Sequence, residues 1–170
     1  AKELSWIFLI LAAFSVVYGA FAALAQKDLK YINAYASISH CGLIFFAFLL
    51  FNATALTGAF MQIVSHGLIT ALFFAVIGMI YSRTHTRLIT EMGGLMKVMP
   101  FIGVAFMLGG LASLGLPGFS GFIAEMTVFV GAFAEAGTLQ RVLTVFATTT
   151  IVITAVYILR AVGKVMFGPV

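Results

Sequence analysis

The chain has 170 residues, 63% of them hydrophobic and only 8% charged, with a mean hydropathy of +1.18. Soluble domains carry about a quarter charged residues, so this composition excludes a water-soluble globular protein. The net charge of +4 comes from nine Lys and Arg scattered singly, which excludes the basic cluster of a nucleic-acid binder, and one cysteine, Cys41, excludes an internal disulfide.

Crossing a bilayer as a helix takes roughly 20 apolar residues. Five stretches meet that length and together predict an all-α, polytopic transmembrane bundle, a single unit over residues 1–170. The first, about 5–25, is of full spanning length rather than the short core of a cleaved signal. The second is about 33–51, and the third, about 53–81, is long enough to tilt or protrude. The fourth, about 100–134, is too long for one straight span, and the fifth covers about 142–167. Small residues recur inside the spans, as at Ala20, Ala22, Ala23, Gly109 and Gly110, and permit close helix packing in lipid. Continuous apolar runs in place of strict alternation argue against a β-barrel. The chain begins at Ala1 without a start Met and ends just after Pro169, as expected of a fragment or a processed chain.

The charges set a topology. Lys27 and Lys30 lie between the first two spans, with Asp28; Arg83, Arg87 and Lys97 lie between the third and fourth, with Glu91; Arg160 and Lys164 lie late in the fifth. These seven basic residues fall on one side, against Lys2 and Arg141 on the other. The positive-inside rule makes the seven-charge side cytoplasmic, or its organellar equivalent.

The fourth span carries Leu114-Gly115-Leu116-Pro117-Gly118-Phe119-Ser120-Gly121 in mid-run. Pro117 has no N–H and clashes with a preceding helical turn, while Gly115 and Gly118 loosen the backbone, so a helix break is predicted near 114–118. Broken helices survive in membranes where protein or water satisfies the freed backbone, and transporters place them beside ion sites. Glu125 follows Pro117 by eight residues, whereas Glu3, Asp28, Glu91 and Glu135 lie in loops or near ends. A charge at that depth costs about 2.5 to 3.5 kcal/mol on insertion scales, so intramembrane acids are usually functional. The functional reading of Glu125 is a proton carrier. The structural one is a carboxyl bonded to a neighbouring helix.

His40, in Ser37-Ile38-Ser39-His40, and His66, in Gln62-Ile63-Val64-Ser65-His66, each follow a serine in otherwise apolar sequence. Imidazole both donates and accepts, which suits a relay from the cytoplasmic side towards Glu125; the competing reading is that each histidine bonds across helices to Ser, Thr or backbone. Ser39 and Ser65 are candidate supporting residues, as are Lys30 at the interface and Arg160, placed to reach the cytoplasmic edge. His85 falls in a polar connector and reads as a surface residue. No ligand pair predicts a metal, and no dinucleotide, P-loop, CxxC or CxxCH motif is present, so no cofactor is expected in this chain.

Several segments together resemble one family. They are Ala25-Gln26-Lys27-Asp28-Leu29-Lys30, Ala36-Ser37-Ile38-Ser39-His40-Cys41-Gly42, Gln62-Ile63-Val64-Ser65-His66-Gly67-Leu68, Arg83-Thr84-His85-Thr86-Arg87 and Leu114 through Glu125. In this order they resemble the antiporter-like subunit M of respiratory complex I, the subunit 4 of mitochondria, plastids and cyanobacteria. The resemblance implies the second half of that family's core, with proton translocation driven by quinone reduction in other subunits. It implies that His40 and His66 match relay histidines and that Glu125 matches the acid of the second broken helix. Paralogues and sodium/proton antiporter relatives usually carry lysine there. Tyr31 and Cys41 depart from the pattern, standing for a basic residue and a methionine. The family's first broken helix with its buried lysine, and its earlier Glu–Lys pair, have no counterpart here.

The resulting expectation is a proton-translocating subunit of NADH:quinone oxidoreductase, without a redox site of its own. Its expected partners are other membrane-arm subunits, homologous antiporter-like ones among them, together with lipid and protons but no nucleic acid. The first expected location is the bacterial inner membrane, with thylakoid or mitochondrial inner membrane as alternatives. The competing functions are a subunit of a multisubunit Na+/H+ antiporter, a subunit of a ferredoxin–plastoquinone oxidoreductase, and a purely structural membrane scaffold.

Overall fold

The computed structural model describes residues 5–134 and 137–168; Lys2, Glu3, Glu135 and Pro169 lie outside the described residues. Among the described residues helix α1 covers Ser5–Ala25. Helix α2 (Leu29–Leu49) starts four residues earlier than predicted, because the Asp28 side chain caps it by accepting from the Lys30 N–H at 2.8 Å. That first turn carries Lys30 and Tyr31, so hydropathy alone does not include it. The pair crosses closely: a Cβ on Gly19 would lie 2.6 Å from the Ser39 backbone nitrogen, and Ser39 Oγ donates to the Val16 carbonyl at 2.8 Å.

Helix α3 (Ala53–Thr84) is capped by Asn52, which accepts from the Ala55 N–H at 2.7 Å and donates to the Gly131 carbonyl at 2.9 Å. With 32 residues it is about 48 Å long, well beyond a hydrocarbon core of about 30 Å. His85 ends it in the left-handed conformation, φ 55°, a structural position consistent with its reading as a surface residue. A one-turn helix, α4 (Leu95–Val98), precedes α5 (Pro100–Ser113), α6 (Ser120–Ala134) and α7 (Thr138–Phe167). Helix α7 begins four residues before its predicted start.

Four of these helices, α1, α2, α3 and α7, are long and apolar enough to cross a membrane. Helices α5 and α6, of 14 and 15 residues, are each too short and share the fourth passage. The break is therefore where the sequence puts it, but proline does not end the helix. Gly115, with φ +69°, terminates α5 one residue beyond its cap: its N–H reaches the Ala112 carbonyl at 3.2 Å and the Leu116 N–H reaches Leu111 at 3.5 Å. That is a Schellman motif, which satisfies two of the freed carbonyls. Leu116-Pro117-Gly118-Phe119 then forms a tight turn closed at 3.1 Å, with Pro117 in the position that favours its fixed φ and Gly118 at φ +105°.

The predicted gathering of charge at one end is present. Leu29 N–H donates to the Arg87 carbonyl and Ile89 N–H to the Lys27 carbonyl, both at 2.9 Å, pairing the α1–α2 and α3–α4 connectors. Arg87 Nε lies 3.3 Å from Asp28 Oδ2, and Arg160 Nη2 donates to the Gln26 carbonyl at 2.9 Å.

Two apolar clusters fill the interior. One, towards the charged end, joins α2, α3, α5 and α7 around Ile80, Phe106 and Val165. The other joins α1, α2, α3 and α6 around Val16, Phe46 and Val128. Between them, on α2, α3, α5, α6 and α7, lies a layer of buried polar residues: Ser39, Gln62, Ser65, Ser113, Glu125, Thr150 and Thr154. Large apolar side chains cover much of the outside, Phe101 being 86% exposed, as lipid or partner helices require.

Candidate functional site: a carboxylate behind a helix break

Glu125 sits in the second turn of α6, 9% exposed, and faces back across the break. A Cβ on Gly115 would lie 2.8 Å from Glu125 Oε2, so the left-handed glycine that ends α5 also leaves room for the carboxyl. The other oxygen, Oε1, lies 3.4 Å from His40 Nδ1 on α2 and 3.4 Å from Gln62 Nε2 on α3. Gln62 Nε2 is in turn 3.2 Å from His40 Nδ1, so the three atoms form a triangle.

His66 extends this group. Its ring centroid lies 5.1 Å from that of His40, its Nε2 is 2.8 Å from Ser37 Oγ and its Nδ1 is 3.2 Å from Thr70 Oγ1. A hydroxyl donates or accepts as required, so His66 can exchange tautomers without losing either partner. On the far side of Glu125 lies a cavity of about 20 Å³, room for one water. Ser39, His40, Ser113, Glu125, Thr150 and Thr154 give it polar walls, and Phe129 closes it towards an apolar groove between α6 and α7.

The structure thus brings together His66, His40 and Glu125 in one row running from α3 through α2 to α6. The sequence reading runs this path inward from the cytoplasmic edge. The row instead crosses the bundle at one level, and the apolar cluster containing Leu29, Ile32, Ala36 and Ile80 separates it from the charged end. Helix α2 begins four residues before the predicted span, which puts His40 near its middle rather than towards the charged end.

The supporting residues divide. Ser39 lines the cavity while tying α2 to α1. Ser65 lies 2.8 Å from Ser120 Oγ and pins the start of α6 to α3. Lys30, exposed at the start of α2, is ten residues or about 15 Å from His40 and does not reach the site. Arg160 belongs to the charged end through Gln26. Sequence reasoning missed Gln62, Ser37, Thr70, Thr150 and Thr154. A signal was present: Gln62, His66 and Thr70 follow the i, i+4, i+8 spacing of one helical face, and Ser37 precedes His40 by three.

Among proteins of known identity, the chain is 43% identical over 162 residues to NAD(P)H-quinone oxidoreductase chain 4 1 of Synechococcus sp. (strain JA-3-3Ab), covering 94% of this chain and 31% of that protein. It is 41% identical over 162 residues to chain 4 2 of Microcystis aeruginosa, covering 94% of this chain and 29% of that one. The chain therefore spans about a third of the length of these relatives. Among solved structures it superposes on respiratory complex I from Thermus thermophilus with a TM-score of 0.90 at 32% identity, over 97% of this chain and 34% of that one. The Mrp complex from Dietzia sp. shares the fold with a TM-score of 0.92 at 24% identity, over 99% of this chain and 31% of that one. Residues 1–154 match the family model for the transmembrane part of NADH:quinone oxidoreductase and Mrp antiporters. With that match over most of its length, and the helix break and buried polar layer in place, the chain belongs to the NADH:quinone oxidoreductase/Mrp antiporter membrane family.

Proposed function

We propose that this chain is part of a proton-translocating membrane subunit of an NAD(P)H:quinone oxidoreductase, and that His66, His40 and Glu125 carry its protons. The observation that carries the reading is the contact of His40 Nδ1 with Glu125 Oε1 at 3.4 Å inside an apolar bundle. An imidazole and a carboxyl in contact, shielded from bulk water, exchange one proton between a donor and an acceptor, and a site with no such task would be filled more favourably by apolar side chains. His66 is the open end of the row: it is half-buried and faces a surface groove lined by Ile44, Phe45, Phe48 and Ile63. In this reading protons reach His66 laterally, from the remainder of a longer protein or from a neighbouring subunit. They pass to His40 and Glu125 and leave through the cavity past Phe129. Quinone reduction elsewhere in the complex supplies the energy, the charged end faces the cytoplasm or its equivalent, and homologous antiporter-like subunits are its neighbours.

His40→Leu in the full-length protein, within its complex, tests the relay. A positioned acid–base group contributes about 100-fold or more, so proton transport through this subunit is expected to fall by at least tenfold while the complex assembles. Proton uptake into inverted vesicles, normalised to electron flow, measures it. Undiminished uptake would remove His40 from the path. Uptake that depends on sodium without quinone reduction would favour an antiporter subunit instead.

A further inference from the structure

Glu125 has a second polar neighbourhood, which the relay from His66 does not use. Four buried side-chain polar atoms lack a hydrogen-bond partner among the described residues, and three of them, Asn33 Nδ2, Tyr157 OH and Arg160 Nε, lie between the Glu125 cavity and the charged end. The apolar cluster that separates those two regions is thin along α7. Thr154, on the cavity wall, and Arg160, on the Gln26 carbonyl, are six residues or about 9 Å apart. Tyr157 stands between them, fully buried, with its hydroxyl beside Thr154 and within electrostatic reach of Glu125. From α2, Asn33 lines a cavity of about 10 Å³ with Ile158 and Ala161, the neighbouring positions of α7.

A buried polar group without a partner is disfavoured, so three in one thin layer require a common cause. Thr154 is also set apart from its helix. Thr144, Thr148, Thr149 and Thr150 each donate to a carbonyl three or four residues before them, whereas Thr154 makes no such bond among the described residues. Its hydroxyl is free to turn between Tyr157 and the cavity.

The donors and acceptors run in one sense. Arg160 Nε and Asn33 Nδ2 only donate, a carboxylate only accepts, and the hydroxyls of Tyr157 and Thr154 do both. Water that accepts from Arg160 or Asn33 turns its own hydrogens towards the phenol oxygen, and each later O–H then points to Glu125. The cavity beside Asn33 is at the lower limit for one water, so the layer must loosen slightly before the chain is complete.

We propose that Tyr157 is a relay hydroxyl on a second route to Glu125, running along α7 from the charged end. This inference rests on the proton-carrying reading of Glu125. The step balances. A proton from the charged side joins the first water, and each oxygen in turn, through Tyr157, Thr154 and the cavity water, gains one O–H bond and gives one up. The Glu125 carboxylate gains the last and becomes an acid, and rotation of the hydroxyls resets the chain. The Arg160 guanidinium repels a proton while Glu125 is neutral, and a Glu125 carboxylate offsets that charge. The route therefore loads an empty site and stays closed to a filled one.

The test uses the intact complex in inverted vesicles, charged side outward, and measures proton uptake per electron. Blocking the lateral route with His40→Leu is expected to leave a residual of up to about a tenth, carried by this one. Adding Tyr157→Phe, which removes one oxygen and keeps the ring, is expected to cut that residual by about tenfold or more, the scale of a positioned proton-transfer group. Alone, Tyr157→Phe is expected to lower transport only slightly, with an unfolding temperature no lower than that of the unaltered protein, because the oxygen has no partner in the fold. No residual in His40→Leu would overturn the inference, and so would a residual that Tyr157→Phe leaves intact. Loss of the residual with a lowered unfolding temperature would overturn it too, since packing alone then explains the loss. Glu125→Gln, run alongside, separates the two failures: normal pumping there removes Glu125 as a proton site, whereas arrested pumping beside an intact residual in the double variant removes only this route.

Discussion

Glu125→Gln is expected to leave the complex assembled and to stop proton transport through this subunit. Glutamine has the same shape and loses the ionisable group, which removes a burial penalty of about 2.5 to 3.5 kcal/mol for the charged form, so the fold is expected to be at least as stable. A carboxamide cannot take a proton from His40 and give it up again. Transport is expected to fall by about a hundredfold, the ordinary scale for loss of a positioned acid–base group. Pumping measured with a pH-sensitive dye, beside electron transfer and a native gel for assembly, separates loss of function from loss of fold. A misfolded variant would lose all three together.

Gly115→Ala is the second large effect, and it differs in kind. Gly115 stands at φ +69°, where an L-residue is disfavoured by about 1 to 2 kcal/mol, and a Cβ there would press on Glu125 Oε2 at 2.8 Å. Both stability and transport are expected to fall, transport by roughly tenfold because displacing a reacting group by a fraction of an ångström has that order of effect. Gly118→Ala is the matched control: its φ of +105° imposes strain as well, but nothing lies within 4 Å of its Cβ position. It is expected to lower the unfolding temperature while leaving most of the transport. Equal transport in the two variants would show that Gly115 does not make room for the carboxyl.

Much of the fold was legible because a bilayer leaves the backbone few choices. A run of about 20 apolar residues has to be a helix, so α1 was legible as one, and the excess length of 100–134 with glycines in its middle marked a break. The starts of α2 and α7 were not legible by hydropathy, since their first turns hold Lys30, Gln140 and Arg141. The fate of Pro117 was misread for a related reason. The penalty of a mid-helix proline applies only if the helix reaches it, and Gly115 ends α5 first.

The site was legible as a set of residues and not as an arrangement. Glu125, His40 and His66 stand out singly as ionisable groups in apolar sequence, and the structure places them in one row. The level of His40 depends on where α2 begins, which hydropathy alone misplaces by four residues. Gln62 was overlooked because an uncharged amide inside a span attracts no attention until its neighbours are known. Its partners come from α2 and α6, 22 and 63 residues away in sequence.

The claim at the centre is that Glu125 takes up and releases a proton in each cycle. Infrared difference spectroscopy of the intact complex, recorded as quinone reduction is started and stopped, observes that event at the carboxyl itself. The expected result is a carboxylic acid C=O band that changes with turnover, moves in D2O, and is missing in Glu125→Gln. The contradicting result is the same difference spectrum in both proteins, with proton transport undiminished in the variant.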